Sequence, residues 1–151
     1  MIPLLLLACL ATTNLLIVVP KMPLLKPQKE IRALANPSKA EFLKRFFKTG
    51  PGQYAEGDQL LGVAVPQTRL LVRKFQDIPL TESKQLVRSP LHEERLLGLL
   101  IWVRQFKRGT PEVQKKIYQI YLKHTRWINN WDLVDSSARD IVGAYLFERD
   151  R

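Results

Sequence analysis

The segment Asn129-Asn130-Trp131-Asp132-Leu133-Val134-Asp135 carries the most chemically suggestive spacing in the 151-residue chain. If Asn130 caps a helix that runs to about Glu148, Asp135 lies four residues after Trp131 and so on the same face. Val134, Ala138, Ile141, Val142 and Tyr145 continue that stripe at helical spacing. A carboxylate on an apolar stripe is costly unless it is partnered or lines a cleft. Two readings of Asp135 stay open: a capping or structural hydrogen bond, or a carboxylate beside an indole that faces a ligand. Asp132 falls on another face and reads as a first-turn charge.

The remaining candidates read as structural. In Thr49–Val65 (TGPGQYAEGDQLLGVAV), Gly52 and Gly57 have the first spacing of a phosphate-binding loop. Asp58 and Gln59 stand where that loop needs Lys and Ser or Thr, and Glu56 and Asp58 would repel a phosphate, so nucleotide binding is excluded. The segment reads as a structured connection. His92-Glu93-Glu94-Arg95 lacks the second His of a zinc helix, and Glu93 and Glu94 suit a helix's first turn. His124, beside Arg126, reads as a helix C-terminal cap. One cysteine and two distant histidines leave no disulfide framework and no expected metal site.

Charge is the clue to a partner. There are 24 Lys and Arg against 14 Asp and Glu, a net charge of +10, and none of these lies in residues 1–20. The basic side chains cluster as Lys44/Arg45/Lys48, Arg69/Arg73/Lys74, Arg104/Lys107/Arg108, and Lys115/Lys116 with Lys123/Arg126. Clusters of this kind are either solvated faces or tracks for a phosphate backbone, and the net charge favours the second.

These groups must be positioned by helices, for strand signals are nearly absent. Residues 1–21 are an apolar extension without the leading basic residues of a secretory signal; they are either a mis-start or a genuine hydrophobic N-terminus. Residues 22–151 read as one all-α domain. Ser38–Glu41 has the form of a capping box, Pro66 opens a helix to about Gln76, and Thr81 caps a short helix to Arg88. Ser89-Pro90 opens the most apolar helix, with Gly109 as its stop, and Thr110-Pro111 opens the next. The helices pair as 81–88 with 90–107 and 111–125 with 131–148. The long members start about 41 residues apart, near the roughly 40–47-residue period of HEAT-type repeats. A plain helical bundle fits the pattern equally well.

The segments FFKTGPGQYAEGDQLLGVAVPQTR, SPLHEERLLGLLIWVRQFK and INNWDLVD resemble the DNA alkylation repair enzyme family, the AlkD-like DNA glycosylases, over roughly residues 30–149. The resemblance implies an all-α solenoid of HEAT-like repeats, here partial, whose basic concave face holds duplex DNA. It implies a cytoplasmic monomer that removes alkylated purines, such as N7-methylguanine and N3-methyladenine, from double-stranded DNA by cutting the N-glycosidic bond. No metal or organic cofactor is implied. The Trp and last Asp of the family's W-D-x-V-D motif match Trp131 and Asp135, which implies a DNA-contacting or lesion-contacting role for Trp131 and a catalytic role for Asp135. The family continues with further repeats, an Arg and a second aromatic wall, whereas this sequence stops at Arg151. Arg139, Arg149 and Arg151 do not match that Arg by position. Three readings of that difference stay open: a gene fragment, a split gene with the missing C-terminal half on a separate chain, or a remnant that works only with a partner. The alternative is a non-catalytic helical-repeat module that binds DNA or protein.

Overall fold

The computed structural model describes residues 23–147, and these form an all-α fold. The apolar extension, Arg149 and Arg151 lie outside the described residues. Among the described residues no helix is long and apolar enough to cross a membrane.

Helix α1 (Lys26–Ala33) is an element that the sequence pattern does not single out; its buried Ile31 anchors it. Helix α2 (Pro37–Phe46) is capped by Asn36, whose Oδ1 accepts from the Lys39 N–H at 3.0 Å, and Pro37 sits in its first turn. The cap thus lies two residues before the expected Ser38. Proline's fixed φ suits the first helical turn and wastes no hydrogen bond there, so Asn36-Pro37 wins the start. Helix α3 (Val65–Phe75) has Pro66 in its first turn, as expected. Helix α4 (Leu80–Val87) is entered from Pro79, not capped by Thr81. Helix α5 (His92–Arg108) follows Ser89, whose Oγ accepts from the Leu91 N–H at 3.0 Å, and it ends at Gly109. Helix α6 (Pro111–Lys123) is capped by the Thr110 side chain.

A 3-10 turn, Thr125–Trp127, leads into helix α7 (Trp131–Asp135), a π-helical stretch (Arg139–Gly143) and helix α8 (Ala144–Phe147). The single helix expected from Trp131 is therefore interrupted. Ser137 Oγ bonds back to the Leu133 carbonyl at 2.5 Å and meets the Tyr121 hydroxyl at 2.9 Å. Serine bonded to the carbonyl four residues earlier bends a helix, and the wide π turn then shifts the register of its faces.

Helix α5 lies between the others, as an all-round apolar helix must. Its Leu97 and Ile101 join Ile31, Val63, Leu71, Val72, Phe75 and Leu86 in one core. Leu96, Leu99, Trp102, Val103 and Phe106 join Ile117, Tyr121, Leu133, Ile141 and Tyr145 in another. The buried Trp102 indole donates to Ser83 Oγ at 2.8 Å, tying α5 to α4.

The long connection between α2 and α3 is pinned rather than free. Glu93, in the first turn of α5, accepts the Leu61, Gly62 and Val63 N–H groups at 2.8, 2.7 and 3.3 Å. Leu61–Val65 alternates in hydropathy but forms no strand, and the backbone donors of Leu61, Gly62 and Val63 go to this carboxylate instead. Gly62 has φ +76°, and a Cβ there would collide with the Asn36 carbonyl oxygen and come within 2.6 Å of the Ala40 nitrogen. Gly62→Ala is expected to lower the unfolding free energy by roughly 2–4 kcal/mol through backbone strain and displacement of the α2 start. Urea unfolding of the two proteins measures this; an unchanged midpoint would show that the loop shifts freely.

Candidate functional site

Helix α7 presents Trp131 and Asp135 together. Trp131 keeps 46% of its surface exposed, and Val134 and Asp135 are exposed beside it. The inward positions of this run are Leu133, Ser137, Ile141 and Tyr145. The expected single apolar stripe is thus two faces, separated by the interruption of the helix at Ser136 and Ser137. No hydrogen bond or ion pair holds the Asp135 carboxylate among the described residues. Asn130 occupies the cap position, but its side chain makes no cap bond; both its polar atoms are buried without a partner among the described residues.

Behind Trp131 the end of α2 supplies an aromatic wall. The indole lies edge-on to Phe46 at 5.7 Å and tilted to Phe47 at 5.9 Å between ring centroids. These rings, with Leu43, Val65, His92 and Asp132, border a cleft of about 360 Å³.

Asp132 corrects the sequence reading, because it does not simply point away. Its Oδ2 meets His92 Nε2 at 2.8 Å, while His92 Nδ1 faces Asp58 Oδ2 at 3.4 Å. Asp58 also accepts from Arg95 Nη2 at 2.6 Å and from Asn129 Nδ2 at 3.1 Å. The carboxylate that argued against a phosphate loop is therefore the hub of a nearly buried network joining the long loop, α5 and α7. Burial opposes charge on the His92 ring, but its hydrogen bonds to Asp132 and Asp58 outweigh that, and its pKa is raised to about 9. Burial likewise works to raise Asp58, yet the His92 hydrogen bond and the Arg95 charge prevail and hold its carboxyl below the usual range. Sequence reasoning missed this network. Its available signal was an aspartate inside a connection and a histidine starting the most apolar helix, both of which need partners when buried.

Glu93 and Glu94 do sit in the first turn of α5, as expected, but they are buried as well as dipole-matched. Glu94 accepts from Arg32 at 2.5 Å and Gln28 at 2.9 Å and so docks α1. His124 ends α6: Nδ1 bonds the Ile120 carbonyl at 2.7 Å, and Nε2 accepts from Arg88 at 3.0 Å. Burial and the neighbouring Arg88 and Lys84 hold its pKa below the usual histidine range, despite the Ile120 bond. No group of three or more His, Cys, Asp and Glu side chains among the described residues is placed to hold a metal ion.

Packing also sorts the cations. Arg69 and Arg73 of α3 and Arg104, Lys107 and Arg108 of α5 line one groove of about 410 Å³, floored by Val72, Leu100 and Val103. Two clusters distant in sequence thus become one. Lys74 leaves the group and pairs with Glu30 at 2.7 Å. Lys107 pairs with Asp140 at 2.7 Å, which ties this cation to the helical run that carries Trp131 and Asp135. Lys44, Arg45 and Lys48 border a separate hollow, and Lys115 and Lys116 line neither.

A family model described as DNA alkylation repair enzyme matches residues 27–151. The chain belongs to the DNA alkylation repair enzyme family. No curated protein and no solved structure matches the chain. Membership in the DNA alkylation repair enzyme family gives the chain a role in DNA repair, and the matched span includes the basic groove, Trp131 and Asp135.

Proposed function

We propose that this protein holds alkylated duplex DNA against the α3–α5 groove and excises N7-methylguanine and N3-methyladenine by hydrolysing the N-glycosidic bond. The observation that carries the reading is the joint exposure of Trp131 and Asp135 on one face of α7, in a run whose Asp140 pairs with Lys107, one of the five cations lining the α3–α5 groove. Family membership and the all-α fold support it. Alkylation makes the purine cationic, so the C1′–N bond electrons can leave with a neutral base. Positive charge then grows on the deoxyribose. Asp135 stabilises that charge and takes a proton from the water that adds to C1′, leaving an abasic site and free alkylpurine. The Trp131 face meets the cationic nucleoside, an attraction worth roughly 0.5–2 kcal/mol. No metal or organic cofactor takes part in the scheme.

Release of free 7-methylguanine from methylated duplex, compared with spontaneous loss, tests this directly. Enzyme-dependent release is the expected result. Binding that weakens with salt but ignores methylation, without base release, would make the chain a non-catalytic DNA-binding module. The groove carries its own prediction. Arg73→Ala with Arg104→Ala removes two phosphate contacts and should flatten the slope of log affinity against log salt by about 2. An unchanged slope in a binding titration would place the DNA elsewhere.

A further inference from the structure

Helix α7 is short, and few anchors set its rotation. Leu133 is buried on the inner side, and Asp132, about 100° round the helix, is held at the flank. One oxygen of Asp132 is buried with no partner among the described residues; the other is bound by His92. His92 therefore supplies the hydrogen bond that fixes this flank. The same ring reaches Asp58 in the long loop and packs on Phe47, the residue that ends α2, ring centroids 4.8 Å apart. Phe47 in turn supports the Trp131 indole. His92 is thus connected to Trp131 twice, through the α7 backbone and through Phe47.

We propose that His92 is a positioning residue: doubly bonded between Asp58 and Asp132, it fixes the rotation of α7 and so the placement of Trp131 and Asp135 against the DNA. This rests on the proposed roles of those two residues. The lever is steep. A carboxyl about 6 Å from a helix axis moves about 1 Å for each 10° of rotation, and misplacement by about 1 Å costs on the order of 100-fold in rate.

The charged groups facing the ring are Asp58 from the loop, Asp132 from α7 and Arg95 from α5 itself; Lys39 of α2 and Glu93 of α5 line the same cleft, and Phe47 just after α2 adds an uncharged ring contact. Both ring nitrogens must carry protons to serve both carboxylates, and a neutral ring can donate to only one. The raised pKa gives the sign. The clamp is complete at neutral pH and is lost as pH rises through about 9. On the acid side it lasts until Asp58 is protonated, below the usual carboxylate range.

The test combines NMR of the Trp131 indole N–H with the pH profile of 7-methylguanine release, in the full chain and in His92→Gln and Asp132→Asn. In the parent protein the indole resonance should shift with a midpoint near 9, and single-turnover release should fall through the same midpoint. In both variants that step should vanish, and release at neutral pH should drop roughly 10- to 100-fold with DNA affinity held within about threefold. An indole resonance that ignores pH, or variants that keep the parent's alkaline step, would overturn the proposal. The indole titration of the parent needs no variant to fold. It also separates the two ideas: absent base release defeats the proposed glycosylase activity, while the indole shift still decides the clamp.

Discussion

Asp135→Asn is expected to slow single-turnover release of 7-methylguanine from methylated duplex by about 100- to 1,000-fold, the range for losing one preorganised electrostatic stabiliser, about 2.7–4 kcal/mol. The amide keeps the shape of the carboxylate but neither its charge nor its capacity to accept the water's proton. Asp135 is exposed and has no partner among the described residues, so the fold has little to lose: stability should stay within about 0.5 kcal/mol. Affinity for DNA should hold or tighten slightly, because a negative charge leaves a surface that faces phosphates. A rate loss at constant affinity and stability would mark a group acting in the transition state. Release at the parent's rate would remove Asp135 from the chemistry.

The largest structural effect is expected at Glu93. Its carboxylate is the acceptor for three successive backbone donors, Leu61, Gly62 and Val63, two of those bonds being buried. Glu93→Ala leaves these N–H groups facing a void. Each unsatisfied buried donor costs about 1–3 kcal/mol, and some water will enter, so a total loss of roughly 3–5 kcal/mol is expected. Such a loss is a large fraction of the stability of an ordinary domain. Glu93→Gln keeps one side-chain oxygen as acceptor and should cost about 1–3 kcal/mol. Denaturant midpoints read both effects, provided the slope stays constant. A cost below about 1 kcal/mol for the alanine variant would mean that the loop donors find other acceptors. Because Gly62 packs on the start of α2, the same loop also sets the wall behind Trp131.

Much of this molecule is legible one segment at a time. Thr110-Pro111 and Gly109 mark helix ends because capping and proline stereochemistry act within a few residues. Near Asn36 and Ser38 two local signals compete, and the proline at 37 decides between them. The run after Trp131 is harder. Its apolar spacing suggests one straight face, yet Ser137 bonds the Leu133 carbonyl and Tyr121 of α6 where the α-helix gives way to a turn and a π-helical stretch.

Trp131 and Asp135 share a face because positions four apart on a helix are neighbours, which any chain with this local sequence would obey. Family resemblance, the basic excess and the helix order are likewise properties of the linear chain. The distant meetings are of another kind. His92 and Asp132 lie 40 residues apart, and Asp58 and Asn129 lie 71 apart. Arg73 and Arg104 line one groove because α3 and α5 pack against each other. No spacing rule encodes such pairs; they follow from which apolar faces bury each other. Burial then gives Asp58, His92 and Glu93 their roles, since a charged group taken out of water must find partners. Packing turned a first-turn aspartate and a lone histidine into the support of the proposed site.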